Sequence, residues 1–297
     1  MELRQLKYFL KAKELLNFTE ASKCLYITQS TLSQQIKQLE EELGQPLFNR
    51  IGKRITLTEA GELFAFYAER SIRAAEDGKL LLEDLEGLKT GTLKIGLTWG
   101  LKSLALSSLK IFNNSYPEVK IEVTFGTTNE LMEDLLKQKI DFALTYFDGV
   151  HEENFIYESV LTSDMALMVA KDSTLASLKG IKLKEIEQYR LALPVQGFST
   201  RDFLDRVFKK HNILPNIAIE TNQTSMIVDL VELGAYQTVL THATVHNEAN
   251  LKAIPIKDID MKREAVVIQL KDSYHKKGVR IFIDLLLNEN KDEYSTL

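Results

Sequence analysis

Polar side chains recur along one face of a predicted helix near the N-terminus. Apolar residues recur at helical spacing over residues 29–43. The other face of that helix carries Ser30, Ser33, Gln34 and Lys37. Hydroxyl, amide and ammonium groups near the start of a helix can bond to base edges in a DNA major groove. Solvent exposure alone also produces a polar face, so this pattern leaves both interpretations open.

Basic side chains cluster just downstream of that helix. Two strand-like runs lie within Leu47–Leu57, and Arg50, Lys53 and Arg54 crowd the tip between them. Cations on such a β-wing can contact phosphates. The charge distribution agrees, because residues 1–58 hold nine Lys and Arg against six Asp and Glu, whereas the remainder holds 28 against 36.

Three helices must position these groups. Leu3, Leu6 and Phe9 begin an apolar helical pattern that ends near Asn17. Thr19 is the expected N-cap of a short second helix, and Thr28 that of the third, which Gly44 ends. Three helices followed by a wing predict a winged helix-turn-helix over residues 1–58, here called the head.

A long helix is predicted over residues 59–89, with Thr58 as its cap. Its apolar stripe consists of Leu63, Phe66, Tyr67, Ala74, Leu81, Leu82, Leu85 and Leu88. At 1.5 Å per residue the helix would be about 45 Å long. Pairing with a second copy would cover this stripe, and packing on the C-terminal domain of its own chain is the alternative.

Strands and helices alternate over residues 90–297, here called the body. Strands at Leu93–Leu97, Ile121–Phe125 and Phe142–Tyr146, with helices between them, predict a βαβαβ unit. A second series begins at Met165–Ala170. Its other strands are expected at Leu191–Pro194, Ile217–Glu220, Thr238–Thr241 and Glu264–Gln269, and its helices near Phe203–His211 and Met226–Leu233. The pattern predicts two α/β lobes.

Ligands of open α/β folds bind beyond the carboxyl ends of strands, where helix N-termini favour anions. The residues at those positions are Thr98, Trp99, Gly100, Gly126, Thr127, Thr128, Tyr146, Phe147, Phe198, Ser199, Thr200, Thr224 and Ser225. We expect them to line one cleft, with a carboxylated metabolite as the preferred ligand and neutral or aromatic ligands as alternatives. Thr127 with Glu130, and Ser199 by itself, are also natural helix caps.

The sequence contains few features that would predict an enzyme. His242 and His246 are spaced i, i+4, but the chain has no HExxH, GxGxxG or P-loop motif. We therefore expect no catalytic residue, metal or cofactor. Cys24, the only cysteine, is expected to be a buried structural thiol. The first ten residues lack a secretion signal, and apolar runs are too short to span a bilayer, so we expect a cytoplasmic protein.

Residues 18–61 contain an ordered set of short motifs, namely the Ala-Ser pair, the Gln-Ser helix entry, Leu-Glu-x-x-Leu-Gly, Leu-Phe-x-Arg and Leu-Thr-x-Ala-Gly. With these motifs the segment resembles the DNA-binding head of LysR-type transcriptional regulators. The body resembles the same family through Leu-Lys-Ile-Gly-Leu at 93–97, Tyr-Pro at 116–117 and Leu-x-x-x-Ile-Asp-Phe-Ala-Leu at 136–144. Ser30 stands where such regulators often have Pro.

The resemblance implies a fold, partners and positions. The body would have the two-lobed fold of periplasmic binding proteins, with lobe 1 at about 90–161 and 271–297 and lobe 2 at about 162–270. The positions facing DNA would be Gln29, Ser30, Thr31, Ser33, Gln34 and Lys37 on the helix and Arg50, Lys53 and Arg54 on the wing. The partners would be double-stranded operator DNA, a small-molecule effector, further copies as a dimer or dimer of dimers, and RNA polymerase as a further candidate. A small-molecule binding protein without DNA is the rival interpretation.

Overall fold

Two separately packed units make up the chain. The computed structural model describes residues 1–51, 54–85, 90–245 and 248–290, apart from the side chains at positions 50, 51, 54 and 83. The first unit is Met1–Leu85, and the second is Glu86–Leu297, which contains the body. None of the described helices is long and apolar enough to cross a membrane.

The first unit is three helices, a two-stranded wing and the long helix. Its elements are α1 Leu3–Leu15, α2 Phe18–Cys24, α3 Gln29–Leu43, β1 Phe48–Ile51, β2 Arg54–Leu57 and α4 Glu59–Leu85. Strands β1 and β2 pair antiparallel. The predicted winged helix-turn-helix is confirmed.

Local hydrogen bonds fix where these helices begin. The Thr28 hydroxyl accepts from the Thr31 N–H, and Gly44 ends α3 with φ of 68°, both as predicted. For α2 the predicted cap is wrong: Asn17, not Thr19, accepts from the backbone N–H groups of residues 19 and 20. Asn17 is extended, with φ of −153°, and so stands just outside the helix, whereas Thr19 already lies in its first turn.

The prediction for Cys24 is also wrong, because this thiol is exposed. Cys24 is the last residue of α2, and the buried positions of that helix are Phe18, Ala21 and Ser22. The head core itself centres on Phe9, whose ring lies 5.5 Å from that of Phe48 on the wing.

Helix α4 starts as part of the head. The Thr58 hydroxyl accepts from the Gly61 N–H at 2.9 Å, which confirms the predicted cap. Ion pairs of 2.9 Å join α1 to α4, namely Lys7 with Glu76 and Lys13 with Glu69. Farther along, the leucines at positions 82 and 85 are 63% and 75% exposed.

The body begins with the predicted βαβαβ unit. Its elements are β3 Gly91–Leu97, α5 Lys102–Ser115, β4 Val119–Phe125, α6 Thr128–Leu136 and β5 Phe142–Tyr146. Strand β3 lies between β4 and β5 and is parallel to both. The three strands therefore end at the same edge of the sheet.

Two long strands run through both lobes. Strand β6, Phe155–Ala170, pairs through residues 155–164 with β11, Lys262–Leu270, and then with β9 and β10. Strand β11 also pairs with β5. The remaining elements are β7 Arg190–Pro194, α7 Ser199–Lys210, β8 Asn216–Thr221, α8 Thr224–Glu232, β9 Thr238–Thr241, α9 His242–Val245, β10 Leu251–Pro255 and α10 Lys277–Asn290.

Each lobe has its own core. The first centres on Phe112, Phe142 and Phe282, and the second on Leu193, Leu204 and Val239. The first core takes in Ala265 and Val267 of β11, whereas Met261, just before β11, belongs to the second. The two-lobed architecture is confirmed, and the exact lobe boundaries stay a prediction.

Candidate DNA-binding face and effector cleft

Helix α3 presents its polar residues to solvent. Leu32, Ile36 and Leu39 are fully buried and hold the helix in the head. The exposed predicted positions are Gln29, Ser30, Thr31, Gln34 and Lys37, while Ser33 is half-buried. The buried face fixes the helix and leaves most of the polar face free to meet a partner surface.

The helix entry is tied together by hydroxyl groups. The Thr28 oxygen lies 2.9 Å from the Ser30 hydroxyl and 2.8 Å from that of Thr31. These two hydroxyls thus support the cap. Lys37 pairs with Glu41 at 3.4 Å, and both side chains are well exposed. Such surface pairs contribute little stability, so Lys37 can exchange this partner for a phosphate.

The structure describes the predicted wing residues only in part. Arg50 lies on β1 opposite Ile55, and Arg54 lies on β2 opposite Ile51. The side chains of Arg50 and Arg54, and the whole of Lys53, lie outside the described residues.

Glu40 joins helix α3 to the wing, a role that was not predicted from the sequence. Its carboxylate accepts the backbone N–H groups of Leu47, at 2.8 Å, and Phe48, at 3.1 Å. The glutamate of the Leu-Glu-x-x-Leu-Gly motif therefore sets the position at which the wing begins.

A cleft in the body collects most of the other predicted residues. It holds about 400 Å³ of empty space, part of it open to solvent. Its lining consists of Thr98, Trp99, Gly100, Gly126, Thr127, Thr128, Tyr146, Pro194, Phe198, Ser199, Thr200, Thr224 and Leu240. All of these residues are uncharged.

Topology explains this convergence. Strands β3, β4 and β5 are parallel, so the residues that follow them meet at one edge. The second lobe supplies the end of β7 and the starts of α7 and α8. Pro194 and Leu240 were not predicted as lining residues, because both lie inside strands and not after them.

Phe147 and Ser225 do not line the cleft. The Phe147 ring lies 4.6 Å from that of His151 and 5.6 Å from that of Tyr157. Successive residues of a strand face opposite sides of the sheet, so Tyr146 lines the cleft and Phe147 does not.

The helix N-termini at the cleft differ in their capping. Thr127 caps α6 in a reciprocal box with Glu130 and lines the cleft as well. The N-cap residues of α7 and α8, Phe198 and Gln223, make no side-chain capping bond within the described part of the chain. The first N–H groups of α7 and α8 are thus not held by their own caps and can attract an anion.

Aromatic rings connect the two lobes at the cleft. The Trp99 ring stacks on Phe125 of the first lobe at 6.0 Å between centroids, with an interplanar angle of 26°. The Trp99 centroid also lies 5.1 Å from that of Phe198, in the second lobe. The one tryptophan of the chain therefore touches both lobes.

Hydroxyl groups also connect the lobes. The Tyr146 hydroxyl bonds to that of Thr241, and the Thr244 hydroxyl donates to the Gly100 carbonyl at 2.9 Å. Burial raises the pKa of Tyr146, so its hydroxyl stays protonated at neutral pH.

Metal-ligand constellations are absent from the described residues. They contain no group of three His, Cys, Asp or Glu side chains able to hold an ion. His246, one half of the i, i+4 histidine pair, lies outside the described residues.

Comparison with known proteins identifies both halves of the chain. Residues 3–62 match the family described as bacterial regulatory helix-turn-helix protein, lysR family, and residues 86–291 match the LysR substrate binding domain. YwqM of Bacillus subtilis (strain 168), an uncharacterized HTH-type transcriptional regulator, is 32% identical over 96% of this chain and 98% of its own length.

Solved structures of two other proteins resemble this chain over nearly its full length. A full-length OxyR variant from Pseudomonas aeruginosa covers 96% of this chain, and this chain covers 94% of it, with a TM-score of 0.71 at 18% identity. Full-length CbnR in complex with its target DNA has a TM-score of 0.60 at 25% identity, with 97% and 99% coverage. The chain belongs to the LysR family and is a DNA-binding transcriptional regulator with an effector-binding domain, not an enzyme.

Proposed function

We propose that this regulator responds to a small monocarboxylate bound in the cleft between its lobes. The observation that carries the proposal is that one cavity is lined from both sides, by residues after β3, β4 and β5 and by the starts of α7 and α8. A ligand that contacts both lobes can favour one arrangement of them over another, by its difference in affinity between the two.

The lining restricts the ligand's charge. Two helix N-termini without side-chain caps favour negative charge, each with roughly half an elementary charge. The lining residues offer hydroxyls and carry no formal charge, which suits one carboxylate better than two. Trp99 and Phe198 favour a planar or apolar remainder in the same molecule.

For the head, we propose that α3 enters the major groove with Gln29, Ser30, Thr31, Ser33, Gln34 and Lys37 and that Arg50, Lys53 and Arg54 contact phosphates. Pairing of two copies through α4 would bring two heads to successive major grooves. A dimer of dimers, and contact with RNA polymerase, extend this proposal by family resemblance.

DNA recognition can be tested without knowing the operator. Purified full-length protein would be used to capture fragmented DNA from the source genome, with the Lys53→Ala, Arg54→Ala double variant as the control. We expect a few enriched sites with paired half-sites, lost in the control. A lack of sequence enrichment at moderate salt would contradict the proposed operator recognition.

Ligand charge can be tested by thermal unfolding. We expect benzoate or shikimate to raise the Tm of the full-length protein, and benzyl alcohol to have little effect. Thr200→Val, at the start of α7, should reduce the carboxylate response, whereas Thr162→Val, at an exposed position on β6, should not. Equal shifts with the acids and the alcohol would contradict an anion site.

A further inference from the structure

A buried cation lies where the two lobes meet. Arg263, on β11, has only 2% of its side chain exposed. One nitrogen of its guanidinium donates to the carbonyl of Ser199, the first residue of α7, at 3.0 Å. Another donates to the carboxylate of Asp148, just after β5, at 3.3 Å. One side chain therefore binds a helix of the second lobe and a loop of the first.

The guanidinium also lies over two aromatic rings. Its central carbon is 4.6 Å from the ring centroid of Tyr146, in the first lobe, and 4.9 Å from that of Phe203, in the second. Cation–π contacts gain strength when they are shielded from water. Lysine could not replace this group, because its ammonium lacks the planar fork that holds two acceptors between two rings.

The ionised form of Asp148 gains little net stabilisation from its contact with Arg263. Asp148 is partly exposed, and Arg206 of α7 approaches it to 3.9 Å. Burial raises the pKa of Asp148 despite both arginines, and burial lowers the pKa of Arg263. Desolvation thus offsets much of the attraction, as expected for a shielded ion pair.

The start of α7 is the point at which these contacts meet the cleft. Ser199 lines the cleft and gives its carbonyl to Arg263. The preceding residue, Phe198, lies against Trp99 across the cleft. The placement of the first turn of α7, and of the N–H groups offered to a ligand, therefore depends on Arg263 as well as on Trp99.

We infer that Arg263 is a positioning residue for effector binding. It holds the first turn of α7 against the first lobe, in the arrangement that completes the cleft. Loss of this hold lets α7 move away, so that Phe198 leaves Trp99 and the cleft opens. The link to the effector rests on the proposed function, but the placement of α7 does not.

Trp99 is a reporter for this movement because it is the only tryptophan in the chain. Acrylamide quenching of its fluorescence would be measured in full-length Arg263→Lys and Arg263→Gln proteins. Arg206→Gln is the matched control, since it makes the same change on a largely exposed arginine beside the same carboxylate. We expect quenching to increase severalfold in both Arg263 variants and to stay at the wild-type level in the control.

If Arg263→Gln fails to fold, a milder variant tests whether this contact places α7. Asp148→Asn keeps an oxygen for the guanidinium but removes the charge, and it should give a smaller rise in quenching. Wild-type quenching in a cooperatively folded Arg263→Gln protein, or in Asp148→Asn when the first variant is unfolded, would overturn the inference.

The effector step has its own readout. The apparent affinity for benzoate should fall about tenfold in Arg263→Lys, on the scale of one lost hydrogen bond to a charged group. Increased quenching with unchanged benzoate affinity would support the role of Arg263 in placing α7 but overturn its role in ligand binding. Neither measurement uses DNA, and the quenching uses no ligand, so failure of the proposed function would be recognised separately.

Discussion

Asp148 shows at the scale of one residue how burial competes with charge attraction. Its pKa in the folded protein lies above the ordinary value of 3.8, because burial outweighs the pull of Arg263 and Arg206. The folded protein therefore binds a proton here more tightly than the unfolded chain. The contribution of this group to stability is full below pH 3.8 and is lost as the pH rises through the folded pKa.

We therefore expect the stability of the wild type, relative to Asp148→Asn, to decline as the pH rises from about 3.5 to 7. The attraction between the ionised carboxylate and Arg263 is already included in the folded pKa, so it changes over the same pH range as the burial that opposes it. Urea unfolding of both proteins across the range measures the difference. A difference that grows with pH would mean that attraction to the two arginines outweighs burial.

Gln34 allows a test of base recognition. It is exposed on α3, one turn beyond the capped entry of the helix. We expect Gln34→Ala to cost about 1–3 kcal/mol in binding to the operator and nearly nothing in binding to random DNA. Gln45→Ala, exposed just after the helix, is the control. Equal losses on both DNAs would assign Gln34 to the phosphate backbone instead.

At the scale of elements, Gly61 explains the glycine of the Leu-Thr-x-Ala-Gly motif. A Cβ at this position of α4 would come within 2.2 Å of the Leu47 carbonyl oxygen, a backbone atom at the start of the wing. The helix can approach the wing only because this side chain is missing.

Gly61→Ala should therefore destabilise the head by about 1–3 kcal/mol, as overpacking does. Gly78→Ala in the same helix meets nothing within 4 Å and should stabilise it by about 0.5–1 kcal/mol. Chemical unfolding of the two variants gives the comparison. A stabilising Gly61→Ala would show that the wing shifts freely relative to α4.

The sequence allowed prediction of those elements whose signals are local. Helix α3 carries its cap, apolar period and terminating glycine within its own residues, and its predicted bounds agree with the structure. The cleft could be predicted from strand ends, because parallel strands of a βαβαβ unit end at one edge.

Features that depend on distant pairing could not be predicted. The first half of β6 was missed because residues 155–164 alternate poorly between buried and exposed, and pairing with β11 holds them in place. Arg263 carries no local motif either. Its role emerges only when β11 brings it beside Asp148 and Ser199.

At the scale of the whole molecule, the outer half of α4 carries leucines in contact with water. Leu82 and Leu85 are 63% and 75% exposed in the single chain. Burying one such side chain stabilises an assembly by about 1.5–3 kcal/mol. The proposed pairing of two copies through α4 would cover these exposed leucines.

We accordingly expect the Leu82→Glu, Leu85→Glu double variant to form a weaker dimer, since two carboxylates would have to be desolvated between the helices. Sedimentation velocity over a range of concentrations measures this loss. Affinity for DNA with two half-sites should fall with it, while affinity for one half-site stays unchanged, because linked heads gain from effective concentration. Leu214→Glu, at an 81% exposed position of the body, is the control for added charge. A double variant that dimerises like the wild type would place the self-association surface elsewhere on the chain.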